Sequence, residues 1–253
     1  MTTPSALADL LKSSSPLRVA IIGAMDQEVE QLKESLTGRE HQVIGGFDFY
    51  TGKLDGTDVV LLKSGIGKVN AAISSTLLLY QFKPTCVINT GSAGGFDSEL
   101  EVGDVVISEE VRHHDVDLTI FGYEHGQVPG LPPAFTPDPL LVRFAEESID
   151  NMKGMKTVNG LIATGDTFMD KADRVEATRE LFPTMKACEM EAAAIAQACH
   201  RFDTPFIIIR ALSDIAGKES NISFKDFLET AARHSAEMVM AITRRISTCK
   251  SGH

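Results

Sequence analysis

At 253 residues the chain is long enough for one large α/β domain, and no linker-like stretch divides it. A formal net charge of −11 with no basic cluster argues against phosphate-backbone binding and excludes nucleic acid as a partner. No run reaches the roughly 18 apolar residues that span a bilayer, and Cys86, Cys188, Cys199 and Cys249 form no C-x-x-C pair. They read as reduced packing thiols, so the expectation is a cytoplasmic protein with no membrane partner.

Residues 1–16 carry a short apolar patch from Ala6 to Leu11, with Lys12 behind it and Ser13-Ser14-Ser15 following. Without a charged n-region or a proper h-region they predict a mobile leader, not a signal peptide. Leu17 to Ala24 is an apolar strand, and the acidic stretch from Met25 opens a helix. This first βα unit puts Glu28 just beyond the strand's carboxyl end. From His41 to Gly65 short strands succeed one another around a turn at Asp55-Gly56, so the sheet is mixed. Gly65-Ile66-Gly67-Lys68 then leads into a helix from Val69 to Phe82. It is no Walker A loop, because Leu62 and Val69 stand where Gly and Ser or Thr are needed, and no dinucleotide fingerprint, because Asn70 stands where Gly is needed.

Pro84 to Gly95 predicts a strand ending in a polar, glycine-rich turn, where the backbone can approach a ligand and Ser92 can donate a hydrogen bond. A further strand covers Asp104 to Ser108. His113 and His114, adjacent on a strand, face opposite ways and lack a third ligand at suitable spacing, so no metal site is expected. The stretch from Asp117 to Pro139, rich in Pro, Gly and aromatics, is a loop long enough to be a lid or an interface. A helix from Leu140 to Met152 and a strand from Thr157 to Ala163 precede Thr164 to Met169, where Phe168 offers a flat face for stacking a base. Met185 to Asp214 reads as strand, alanine-rich helix and strand. The unbroken apolar run Phe206 to Ile209 suits a strand covered on both faces. Arg210, Ser213 and Asp214 fall at and just past its carboxyl end, where open α/β sheets bind ligands. Glu191 alone is explained by the helix dipole, whereas a buried Arg210 needs a partner. The last helix, Ser223 to about Ile246, shows an ordinary buried stripe. The expected architecture is a three-layer α/β fold with a mixed central sheet flanked by helices. It forms one domain over residues 17–247, with 248–253 as a tail.

Four segments taken together, Ile22-Gly23-Ala24-Met25 with Glu28, Asn89 to Gly95, Glu189-Met190-Glu191, and Arg210 to Asp214, occur in the order that marks one family. The chain resembles the bacterial 5′-methylthioadenosine/S-adenosylhomocysteine nucleosidases of the nucleoside phosphorylase superfamily, from about Arg18 to the last helix. The resemblance implies hydrolysis of the N-glycosidic bond in these purine thionucleosides, in methionine salvage and methyl-cycle recycling, without a cofactor. It makes Asp214, held by the Ser213 neighbourhood, the acid that protonates the departing purine. Glu28 would serve the attacking water, positioned with help from Arg210 and Ser92. Glu191 would bind the ribose hydroxyls, with the Met190 backbone along the sugar. Phe168 would stack on adenine, and the Met169 backbone would read its edge. Met25, Ile66 and Phe224 would line the sugar and alkylthio end. Leu118, Phe121 and Pro129 would reach a neighbouring subunit's pocket, making a homodimer part of the site.

The chemistry asks for these residue types independently. Breaking a ribosyl C–N bond develops positive charge on the sugar and negative charge on the base, so it needs an acid on the base side and a base for water on the other. A purine nucleoside phosphorylase is the nearest rival, but phosphate wants arginines. None stands from Val19 through Gly38, and Asn89-Thr90 precede Gly91. Nucleosidases for other purine compounds, such as aminodeoxyfutalosine, share the same machinery. A non-catalytic nucleoside-binding descendant would be marked by loss of Glu28, Glu191 or Asp214, and all three are present.

Overall fold

The alternation of apolar runs with amphipathic stretches resolves into one nine-stranded sheet between helices. A computed structural model describes residues 5–149, 156–216 and 220–252; the side chains of 149 and 220–226 lie outside the description. Chain order begins α1 (Ala6–Lys12), β1 (Arg18–Gly23), α2 (Asp26–Ser35), β2 (Thr37–Ile44), β3 (Phe47–Leu54), β4 (Thr57–Lys63) and α3 (Lys68–Phe82). It continues with β5 (Cys86–Gly95), β6 (Val105–His113), α4 (Pro139–Ile149), β7 (Thr157–Thr164) and α5 (Ala172–Leu181). The last elements are β8 (Met185–Glu189), α6 (Ala192–Arg201), β9 (Phe206–Ile215) and α7 (Ser220–Ser251).

The strand order is β2-β3-β4-β1-β5-β8-β7-β6-β9. β1 lies parallel between β4 and β5, while β3 runs antiparallel to both its neighbours, β2 and β4, so the sheet is mixed as expected. Successive residues of a strand point to opposite faces, and β1 shows the result directly. Val19 and Ile21 join the apolar layer shared with α1, α2, α4 and α7, whereas Ala20 and Ile22 join the layer formed with α3 and α6. The alanine-rich face of α6 packs close on the sheet because its side chains are small. A smaller apolar cluster, with Phe96, Met169, Val175 and Phe182, packs α5 beside β8.

Several expectations need correction. The glycine-rich stretch after Asn89 is strand, not turn: β5 pairs with β9 from Val87↔Phe206 to Gly95↔Ile215, past a register shift after Ala93. Close approach requires the glycines there. A Cβ on Gly94 would stand 3.2 Å from Oδ2 of Asp214, and one on Gly91 only 2.8 Å from Oε1 of Glu28. For the same reason Ser213 and Asp214 lie inside β9 and not beyond it. Because β9 pairs in parallel with β5 and antiparallel with β6, the strands β5, β8, β7, β6 and β9 close on one another. Sequence periodicity does not show this closure.

Residues expected as a mobile leader contain α1, capped by Ser5, whose hydroxyl accepts the Ala8 N–H, with Leu7 and Leu11 fully buried. Asp138 accepts from Ser5 Oγ at 2.7 Å and from the Leu7 N–H at 3.1 Å. A seven-residue helix is too short to show periodicity, and its anchor lies more than 130 residues away in sequence. The last helix continues to Ser251, so the expected tail is largely helical, and α5 joins the elements that the sequence reading left unassigned. The end of the expected helix to Met152 falls outside the described residues. Between β6 and α4 the long loop holds a single 3-10 turn, Thr119–Phe121, and is pinned by buried Leu131 and Phe135. Ile120 and Phe121 stand exposed at its tip.

Candidate active site

Glu28 lies in the first turn of α2 but is buried, turned back toward the end of β1. Its Oε2 accepts the N–H groups of Ala24 (2.7 Å) and Met25 (3.2 Å). Its Oε1 accepts both the N–H (2.9 Å) and the hydroxyl (3.0 Å) of Ser92. Four donors on two oxygens fix the carboxylate in place, and they account for the residues around it. Gly23 ends the strand where a Cβ would press on Val29 and Glu28, and Gly91 leaves room for the carboxylate.

Two further carboxylates flank the junction of β8 and α6. Glu189, not Glu191, performs the helix-dipole role: its Oε2 accepts the N–H groups of Glu191 (3.0 Å) and Ala192 (2.8 Å) at the start of α6. The same oxygen is 2.7 Å from Nη2 of Arg210, in an ion pair buried on both sides. Arg210 also donates to Oδ1 of Asn89 at 2.6 Å, and Asn89 donates to the Ile22 carbonyl at 2.9 Å. Arg210 was expected to help position the water, yet it does not line the cavity; it stands behind Glu189, which does. The physical reason is the cost of burying an unpaired guanidinium, which Glu189 and Asn89 offset.

Glu191 is freed by this arrangement. Its Oε1 accepts the Gly67 N–H at 2.8 Å, at the start of α3. Burial, and then the charge of Glu189, push its carboxyl up to about 8; the Gly67 hydrogen bond and Arg210 pull the other way. At the far side of the junction Ser213 donates to Oδ1 of Asp214 at 2.9 Å, and both residues are buried.

These groups enclose a largely apolar cavity of about 220 Å³. Glu28, Ser92, Glu191, Ser213 and Asp214 line it together with Met25, Ile66, Phe168, Met169 and Met190. Phe168 is 40% exposed and forms part of the wall, while Met169 is buried among apolar neighbours. Glu28 is anchored at Ser92 and Asp214 pairs with Gly94, two positions further along β5, or about 7 Å of extended strand. Both carboxyl groups therefore meet the same cavity beside β5. No arginine or lysine lines the cavity among the described residues. Leu118, Phe121 and Pro129 lie on the loop between β6 and α4 and do not line this cavity, and the Phe224 side chain lies outside the described residues. Sequence reasoning gave no role to Glu189, Asn89 or Thr164. The spacing of Glu189 and Glu191, two carboxylates at i and i+2 across a strand-to-helix junction, was the available signal. Among the described residues no group of His, Cys, Asp or Glu is arranged to hold a metal ion.

Fold and site together define an enzyme of the phosphorylase superfamily, whose family model matches residues 18–244. Over 226 residues the chain is 60% identical to the 5′-methylthioadenosine/S-adenosylhomocysteine nucleosidase of Geobacillus sp. (strain WCH70), covering 89% of this chain and 97% of that one. The crystal structure of such a nucleosidase from Colwellia psychrerythraea 34H in complex with adenine superposes with a TM-score of 0.90 at 52% identity, over 92% of this chain and 96% of that one. The enzyme from Neisseria meningitidis in complex with methylthio-immucillin-A gives a TM-score of 0.88 at 50% identity, over 90% and 99% of the two chains. The chain belongs to the 5′-methylthioadenosine/S-adenosylhomocysteine nucleosidase family of that superfamily.

Proposed function

We propose that this enzyme hydrolyses the N-glycosidic bond of 5′-methylthioadenosine and S-adenosylhomocysteine, releasing adenine and the 5-thioribose product. The observation that carries the reading is the pairing of Glu28 and Asp214 on one apolar cavity whose described lining contains no arginine or lysine. Glu28, held by Ser92 and two backbone amides, accepts the proton of the attacking water. Asp214 donates a proton to the purine ring as the C–N bond breaks, so that adenine leaves neutral. The division of labour is that of glycoside hydrolysis with a base on the water side and an acid on the leaving-group side. Glu191 receives the ribose hydroxyls, with the Met190 backbone along the sugar. Phe168 stacks on the base, the Met169 backbone reads its edge, and Met25 and Ile66 meet the alkylthio arm. Arg210 acts through Glu189 as an anchor of this wall.

A homodimer completes the reading. Val69, Ile73 and Tyr80, at i, i+4 and i+11 on α3, are large apolar side chains left 68%, 49% and 72% exposed. Such a stripe beside the cavity wall at Ile66 supports burial against a second copy, whose loop would offer Leu118, Phe121 and Pro129 to the alkylthio end. Among the described residues no helix is long and apolar enough to cross a membrane. The free thiols Cys86, Cys188, Cys199 and Cys249 fit a reducing compartment, the cytoplasm.

The test is adenine release from methylthioadenosine in phosphate-free buffer, repeated with phosphate added. The expected result is equal release in both, with free methylthioribose as co-product. Release that requires phosphate makes the enzyme a phosphorylase, and no release in either buffer removes methylthioadenosine as a substrate.

A further inference from the structure

Thr164, the last residue of β7, is fully buried and outside the cavity lining. Its hydroxyl donates to Oε1 of Glu189 and accepts the Ala193 N–H at 2.8 Å. It therefore grips both sides of the junction that carries Glu191: the carboxylate that caps α6, and the first turn of α6 itself. Its own carbonyl accepts the His114 N–H at 2.8 Å, and Thr164 pairs with Glu189 in the β7–β8 register, so its backbone is held independently of the hydroxyl. Oε2 of Glu189 has three donors, Arg210 and the Glu191 and Ala192 amides. Oε1 has the Thr164 hydroxyl. Removing that hydroxyl leaves one buried carboxylate oxygen and one buried amide with no donor or acceptor, a cost the junction relieves by shifting.

We propose that Thr164 is a positioning residue for the sugar-binding carboxylate Glu191, acting through the Ala193 N–H and the Glu189 carboxylate. This rests on the reading of Glu191 as the ribose-hydroxyl acceptor. A displacement of about 1 Å at a substrate-positioning group costs up to roughly 10²-fold in rate, and here the loss falls on the group that holds the sugar.

The experiment is a double-mutant cycle on methylthioadenosine hydrolysis with Thr164→Val, Thr164→Ser, Glu191→Gln and the double variant Thr164→Val/Glu191→Gln. Folding of each is checked by circular dichroism. Thr164→Val should lower kcat/KM by roughly 10- to 100-fold, with KM raised. Thr164→Ser, which keeps the hydroxyl, should recover most of the loss. In the Glu191→Gln background the Val substitution should cost less than about twofold, because coupled residues are not additive. If Thr164→Val does not fold, Thr164→Ala carries the same cycle, since it removes the hydroxyl without setting a methyl group against the Ala193 N–H. A hydroxyl-free variant as active as wild type overturns the proposal. So does a loss that multiplies independently with Glu191→Gln, or a Ser variant as impaired as Val. Failure of the wild type to release adenine instead overturns the functional reading on which the proposal rests.

Discussion

Asp214 and Glu28 share a cavity but have different surroundings. Asp214 accepts from the Ser213 hydroxyl inside β9, whereas Glu28 receives three backbone N–H groups and one hydroxyl. A general acid contributes about 10²- to 10⁴-fold, so Asp214→Asn should lower kcat by that order and keep the fold. Glu28→Gln should retain substrate binding while hydrolysis falls similarly; single-turnover kinetics beside equilibrium binding checks both, and unchanged hydrolysis in either would remove that residue from its role. Glu191 gives a pH prediction. Burial and Glu189 raise its carboxyl from the ordinary 4.5 to about 8, so between those values the folded protein binds more protons than the unfolded chain. Stability contributed by the protonated carboxyl is full below the ordinary value and is lost as pH rises through the raised one. Urea midpoints of the free enzyme should fall over this window, and Glu191→Gln should flatten the fall. An equal pH slope in the variant would assign it to other groups.

At the scale of elements, α1 and α4 share one anchor. Asp138 accepts from Ser5, from the Leu7 N–H of α1 and from the Leu140 N–H of α4. Loss of a capping side chain costs about 0.5–2 kcal/mol, and Asp138→Ala removes support from both helix starts. Leu7→Ala, at a fully buried site, should cost about 2–5 kcal/mol. Neither should change kcat at 25 °C, because no residue of α1 lines the cavity. Urea unfolding beside steady-state rates tests the pair, and an undiminished midpoint for Leu7→Ala would show that α1 is not docked in solution. The elements visible in the sequence were those with long apolar runs, such as β1 and β9. Of those that escaped, α1 is only seven residues long, and α5, ADRVEATREL, buries only Val175 and Thr178 and so shows no apolar stripe.

For the whole molecule, the α3 stripe makes assembly testable. Ile73→Glu should convert dimer to monomer in sedimentation velocity and raise KM for methylthioadenosine, since the proposed partner loop completes the alkylthio end. A monomeric wild type, or a monomeric variant with unchanged KM, would separate the site from assembly. The closure of β5, β8, β7, β6 and β9 likewise belongs to this scale. It brings Thr164 of β7 and Arg210 of β9 onto the Glu189 carboxylate of β8.

The amino-acid sequence by itself determined the residue types of the chemistry, their order, the mixed sheet and its two apolar faces, because periodicity and local motifs are written along the chain. Glu28, Ser92 and Asp214 could be named from their places near the carboxyl ends of apolar runs, whereas Glu191, which the helix dipole alone explains, entered through the resemblance. Only the tertiary structure decided that Arg210 pairs with Glu189 and Asn89 away from the cavity wall, that Glu189 and not Glu191 caps α6, and that Asp138 holds α1. Each of these depends on which strands and helices become neighbours across tens to hundreds of residues. The cost of leaving a buried charge or amide unpaired then selects the partner.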